Sequence, residues 1–252
     1  MERINNNRRT GLNGSALRTW GFLFIVLGAA GMGIVQYRLL GLGNMTTHSL
    51  LEAMEQSGDV MAFATVALVL QAMESCAVPI FAFLLVEGYL HTSDLKMYMV
   101  RVGVLALVSE LPYNLAMGGS IWVTGSRNPV FALVIGLVMM YLYSRFKQVL
   151  IKILITVCAV VWCEMLDIDH GSFTVILVAT LWGMRKRPQY RLFVGCAAAV
   201  VCSIISPFYL ASPMSFLALH SYNGEPGDRN RLVNYLCYPV ILLIIGIVAK
   251  FI

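Results

Sequence analysis

Apolar runs of about twenty residues recur along the whole chain, and most of the charged residues fall in the short connections between them. About twenty apolar residues is the length a helix needs to cross the hydrocarbon of a bilayer. There, every backbone N–H and C=O must find its partner inside the protein, which a helix does for itself. A soluble domain of this size would need a charged surface, roughly 25% of its residues. Only 12% are charged here, 59% are hydrophobic, and the mean hydropathy is +0.77. The pattern predicts an all-α, polytopic integral membrane helix bundle.

Eight spans can be laid out in order. Trp20–Tyr37 is the first, rich in glycine, which permits close helix contact. It follows a polar, basic tail (residues 1–19) and carries no trusted cleavage signal, so it reads as an uncleaved helix. Leu39–Asp59 reads as an outer loop, with a short surface helix over Ser49–Gln56. Thr65–Leu90 is the second span, interrupted by Glu74 and kinked by Pro79, which has no N–H to donate. The remaining spans are Met97–Met117, Pro129–Ser144, Val149–Leu166, Ser172–Met184, Leu192–Leu210 and Leu232–Ile252. The loop 118–128 contains Trp122, and Ala211–Arg231 is the longest internal loop with turn residues. Residues 20–252 therefore read as a single transmembrane domain.

An even number of spans places both termini on one side. The N-terminus, the turns at 91–101, 145–152 and 185–191, and the C-terminus together hold fourteen of the 18 Lys and Arg. The other connections hold four: Arg38, Arg127, Arg229 and Arg231. Basic residues accumulate in cytoplasmic loops, so the expectation is N and C termini in the cytoplasm of a bacterial-type inner membrane. The net charge of +5 reads as this bias and not as a nucleic-acid surface. Six cysteines, none in a C-x-x-C pair, lie in apolar runs and read as buried free thiols.

Ionisable groups inside spans are costly and mark candidate sites. Glu87 and His91, one turn apart, either face the bundle as an acid–base pair or reach the interface and are solvated. Glu110 and Asn114, also one turn apart, flank Pro112, whose presence frees a carbonyl that can line a cavity. Glu110 fits a substrate path or a structural pairing with Arg101 or another neighbour. Asp169 and His170 supply a carboxylate beside an imidazole, the minimum for general base catalysis; adjacent residues rarely face the same way, so a solvated loop is the competing reading. Tyr222 and Asn223 lie in a Gly-rich turn near Arg229 and Arg231. There is no phosphate loop, no zinc-ligand spacing and no nucleophile elbow, and so no expected metal site or bound cofactor.

VPIFAFLLVEGYLHT (78–92), SELPYNLA (109–116), NPVFALVIGL (128–137), DHGSFTVIL (169–177), YNGEPG (222–227) and YLCYP (235–239) follow one another in an order that resembles the TraX family of multipass membrane proteins. The family is named for the protein that acetylates the pilin N-terminus in conjugation systems, and it is similar, more distantly, to the wider class of membrane acyltransferases. Glu87, Glu110, Asp169, Tyr222 and Asn223 match its pattern. Two positions depart from it. Gly28 and Ala29 stand where the family usually carries an Asp-His pair, and Ile241 stands where the last helix usually carries His.

The resemblance implies acyl (acetyl) transfer from a cytoplasmic thioester donor such as acetyl-CoA to an amine or hydroxyl of a membrane or envelope acceptor. His170 would then act as the base, helped by Asp169. Glu87, Glu110, Asn114, Tyr222 and Asn223 would bind substrate, and Arg185, Arg187 and Arg191 would hold the donor phosphates. The departures leave open a non-catalytic scaffold or regulatory relative, and the intramembrane carboxylates leave open a small transporter.

Overall fold

The computed structural model describes residues 11–39, 58–118, 126–227 and 231–251. The short helix expected over 49–56, Trp122 and the tail before residue 11 lie outside them. Among the described residues the chain is helical, with no named strand.

Helix α1 (Gly14–Ala29) begins six residues before the expected start, because Asn13 caps it: the Asn13 side chain accepts from Ala16 N at 2.9 Å. The boundary drawn at residue 19 therefore falls inside a helix. A π-helical continuation carries the chain through Ala30–Leu39.

The expected second span is two helices, α2 (Gly58–Glu74) and α3 (Ala77–His91). The break falls at Ser75–Cys76 and not at Pro79, which sits in the first turn of α3, where its missing N–H costs nothing. Polar bonds fill the break. Ser75 Oγ donates to Phe208 O at 2.9 Å, and Cys76 Sγ donates to Ala211 O at 3.1 Å.

α4 (Leu95–Gly118) runs straight through Pro112. α5 (Val130–Arg145), α6 (Val149–Met165) and α7 (Gly171–Gly183) agree with the expected spans to within one residue at each end. α8 (Pro188–Cys202) ends earlier than expected and gives way to a 3-10 helix, Pro207–Met214, then to α9 (Ser215–His220). α10 (Arg231–Phe251) passes Pro239 without interruption.

Among the described residues three stretches are long and apolar enough to cross a membrane, Gly14–Val35, Gly58–His91 and Leu95–Met117, and shorter apolar helices accompany them. The centre of the bundle is α7. Both its apolar and its polar side chains are buried, because α3, α5, α6 and α8 all pack on it. The outer faces carry large exposed apolar residues such as Leu150 (77% exposed) and Ile204, as a protein wetted by lipid requires. All six cysteines are free; Cys76, Cys163 and Cys202 are buried, but Cys158 is exposed on α6, contrary to the expectation that every thiol is buried.

The two ends of the bundle can be read from contacts. Leu12 N donates to Ser221 O at 2.7 Å, Asn223 N donates to Leu12 O at 2.9 Å, and Gly14 N donates to Glu225 O at 2.7 Å. The loop at 221–227 is thus on the same end as the start of α1. At the other end of α1, Gly33 packs against Ala116 O, with Ala249 beside it, and Gly246 packs against Leu115 and Ala116. Leu12 and Ala249 therefore mark opposite ends of the helices. The expected count of eight spans and the placement of both termini on one side are not confirmed by this arrangement. The segment 203–220, divided in the sequence reading between the end of the seventh span and the start of the loop at Ala211, passes back along the bundle as an eight-residue 3-10 helix and a six-residue α-helix.

Candidate functional site

The loop before α7 is set by backbone geometry. Asp167 (φ 49°) and His170 (φ 52°) both adopt the left-handed conformation, uncommon for residues other than glycine though tolerated best by Asn, Asp and His. Neighbours hold them there. Arg127 N donates to Asp167 O at 2.7 Å, and Asp169 N donates to Arg127 O at 2.9 Å. This bridge turns Asp169 and His170 toward the inside of the bundle, where Tyr113 Oη donates to Asp169 Oδ2 at 2.8 Å. The His170 ring lies edge-on to Tyr209, with Nδ1 3.4 Å from its hydroxyl and 3.7 Å from Asp169 Oδ1.

Glu74, at the end of α2, completes the group. It is 5% exposed, and it, Asp169 and His170 each present one ligand atom within 4.8 Å of the other two. Gly28 makes room for it, since a Cβ there would collide with the Glu74 side chain. The carboxylate accepts no hydrogen bond from the described residues.

A cavity of about 650 Å³ ends on this group. Glu74 and His170 line its depth, apolar side chains from α1, α3 and α4 line its walls, and Arg18, His91 and Arg101 line it near the end that carries Leu12. Gly28, which abuts Glu74, is ten residues along α1 from Arg18, so the acidic floor lies about 15 Å from that rim at 1.5 Å per residue.

Beside the cavity, Asn128 is fully buried and works as a hub. Its N donates to Glu110 Oε2 at 3.2 Å, its Nδ2 donates to Ser109 Oγ at 2.6 Å, and its Oδ1 accepts from Val130 N and Tyr238 Oη. Glu110 thus ties α4 to the start of α5 and is not among the cavity-lining residues. Asn114 lies on the same helix, also outside the lining.

A second cluster sits at the end near Leu12. Arg191 Nη2 donates to Glu87 Oε1 at 2.7 Å while its guanidinium lies 4.4 Å over the Phe83 ring. Tyr222 packs edge-on to the same ring at 5.4 Å. His91 Nδ1 is 2.9 Å from its own helix's Glu87 O and 3.7 Å from the Glu87 carboxylate. Asn223 Oδ1 accepts from Glu225 N at 2.9 Å, a turn-stabilising bond. Arg185 stacks on Trp182 at 4.2 Å. Of the three arginines expected to hold phosphate, Arg185 and Arg191 are already occupied within the protein.

The structure therefore brings Asp169 and His170 together with each other, and of the two it is His170 that lines the cavity. It brings Glu87 and Tyr222 together elsewhere, and it leaves Glu110, Asn114 and Asn223 as parts of the framework around these sites. Sequence reasoning passed over Glu74, Tyr113 and Tyr209. For Glu74 the signal was present, a carboxylate in a span at the same cost as Glu87. For the tyrosines nothing in the local sequence marked them.

A family model described as TraX protein matches residues 46–249. The chain belongs to the TraX family. The matched region of this TraX protein includes every segment that carried the resemblance from residue 78 onward, and both clusters built from them. It begins after α1, so Gly28 and Ala29 lie outside it. No curated protein and no solved structure shows a match to this TraX protein.

Proposed function

We propose that this multipass membrane protein transfers an acyl group, acetyl in the simplest case, from a thioester donor such as acetyl-CoA to an amine or hydroxyl acceptor of the membrane or envelope. The observation that carries the reading is the cavity that runs from Arg18 and Arg101 to Glu74 and His170. A donor with anionic phosphates and a long thin arm suits a cationic rim and apolar walls, with the reactive carbonyl delivered to the polar floor.

In this reading His170 takes the proton from the acceptor N–H or O–H as it attacks the thioester carbon. The new C–N or C–O bond forms, the C–S bond breaks, and the thiolate leaves with the proton that His170 returns. Asp169, fixed by Tyr113, favours the imidazolium formed on the way. Glu87, Tyr222 and Arg191 support the entrance side, where Tyr222 meets Phe83.

The end that carries Leu12 is assigned to the cytoplasm. With the 221–231 connection moved to that side and the C-terminus to the other, the basic residues divide fifteen to three, Arg38, Arg127 and Lys250 being the three. This is a sharper bias than the even-numbered arrangement gave, and it fits a bacterial inner membrane.

The test is acyl transfer from labelled acetyl-CoA in membranes holding the full chain. His170→Ala at unchanged expression is expected to lower turnover by 100-fold or more, in line with about 10²–10⁴-fold for a general base. Full activity in that variant removes His170 from this role. A chain that binds acyl-CoA without turnover favours the non-catalytic reading, for which Gly28, Ala29 and Ile241 in place of the family's usual Asp, His and His are the supporting observation.

A further inference from the structure

We propose that Glu74, Asp169 and His170 form a binding site for one divalent transition-metal cation, zinc or manganese by donor chemistry. The inference rests on the cluster itself and not on the acyl-transfer reading, with which it competes for His170, since a metal-bound imidazole has no lone pair left to take a proton.

Three observations carry it. The three residues come from the end of α2 and the start of α7, ninety-five positions apart, yet each offers a ligand atom within 4.8 Å of the others. Glu74 is almost fully buried and points into the cluster, and no described residue donates a hydrogen bond to its carboxylate. A buried carboxylate left without a donor is costly, and two carboxylates beside an imidazole call for positive charge between them. Finally, one of the three is already oriented by an outer layer, Asp169 Oδ2 by the Tyr113 hydroxyl, which leaves its Oδ1 free to face the cluster. Such second contacts fix the ligands of real metal sites.

Two carboxylate oxygens and one imidazole nitrogen suit zinc or manganese better than magnesium or calcium, which prefer oxygen alone. Metal–ligand distances of about 2.0–2.2 Å require ligand atoms to be about 3.4 Å apart in a tetrahedral site. The 3.7 Å between His170 Nδ1 and Asp169 Oδ1 is already close to this, and the Glu74 oxygen lies within 4.8 Å of both. Three protein ligands leave one or more positions open toward the cavity, where a substrate oxygen fits. Cation and proton compete for the imidazole lone pair, so metal binding releases protons and weakens as pH falls.

The experiment uses the full chain in detergent, stripped with a chelator, then loaded with Zn²⁺ or Mn²⁺ and dialysed. One equivalent by elemental analysis is expected for the wild type, with affinity weakened at least about tenfold by Glu74→Gln and by Asp169→Asn, as for loss of a supporting or direct ligand. Glu164→Gln, which removes a carboxylate bonded to Ser172 outside the cluster, is expected to keep the full equivalent. Wild type that retains no metal, or Glu74→Gln that retains as much as wild type, overturns the proposal. If the variants do not fold, the wild type alone decides: Cu²⁺ in the site should show the electron-spin hyperfine pattern of one nitrogen ligand, and the absence of nitrogen coupling overturns it. Acyl transfer, assayed separately in metal-loaded and stripped protein, reports on the other reading and leaves this one to its own result.

Discussion

Gly28 leaves space that the Glu74 side chain occupies, and this single contact joins α1 to the floor of the cavity. Any side chain at position 28 must displace the carboxylate. Gly28→Ala is expected to cost about 1–3 kcal/mol by overpacking, read as a lower midpoint of thermal unfolding in detergent. The same change in a Glu74→Ala background should cost much less, because the collision is gone; equal costs would show the two residues uncoupled. Asn128 presents a different kind of dependence. Its side chain serves Ser109, Val130 and Tyr238 at once, so Asn128→Ala is expected to cost about 3 kcal/mol by leaving buried donors without acceptors. An unfolding midpoint within a degree of wild type would contradict that. The sequence made Asp169, His170, Glu87 and Glu110 visible because a charge in an apolar run stands out. Asn128, Tyr113 and Tyr209 are ordinary residues in ordinary places, and only the fold gives them partners. Glu74 was as visible as Glu87 and was read as an interruption, since nothing local shows that the helix ends there.

The helices themselves were mostly legible. α5, α6 and α7 follow from apolar runs bounded by charge or glycine, a signal that depends on solvent and not on partners. The break between α2 and α3 was misplaced because proline in the first turn of a helix is harmless. What stops the helix is the 3-10 segment, which offers carbonyls to Ser75 and Cys76 from 130 residues further along. Two outcomes follow. Pro79→Ala should change the unfolding midpoint little, by less than about 1 kcal/mol equivalent, because no helical bond is restored. Ser75→Ala should lose about 1 kcal/mol and raise the rate at which a membrane-permeant maleimide labels Cys76, since the segment that covers the thiol loses one of its two ties. Unchanged labelling would mean that the 3-10 segment is held in place by something other than these bonds.

For the whole molecule, the return passage of 203–220 decides the sidedness. It is short and broken by Pro207 and Pro213, so a hydropathy reading divides it between the span that ends at Leu210 and the loop that begins at Ala211. Pairing of Leu12 with Tyr222 and of Gly33 with Ala249 shows otherwise. In a cysteine-free background, Leu12→Cys and Lys250→Cys are expected to react with an impermeant maleimide from opposite faces of sealed vesicles; labelling from one face would restore the even-numbered arrangement. α7 adds a constraint of another kind. Its 13 residues reach only about 20 Å, well short of the hydrocarbon, and they are surrounded on all sides by protein. A segment like that gains little by leaving the translocation machinery alone. It is expected to stay there, or just outside, until α8 has been synthesised behind it, so the helices are expected to be released in groups, with the centre of the finished bundle entering the lipid as cargo of its neighbours.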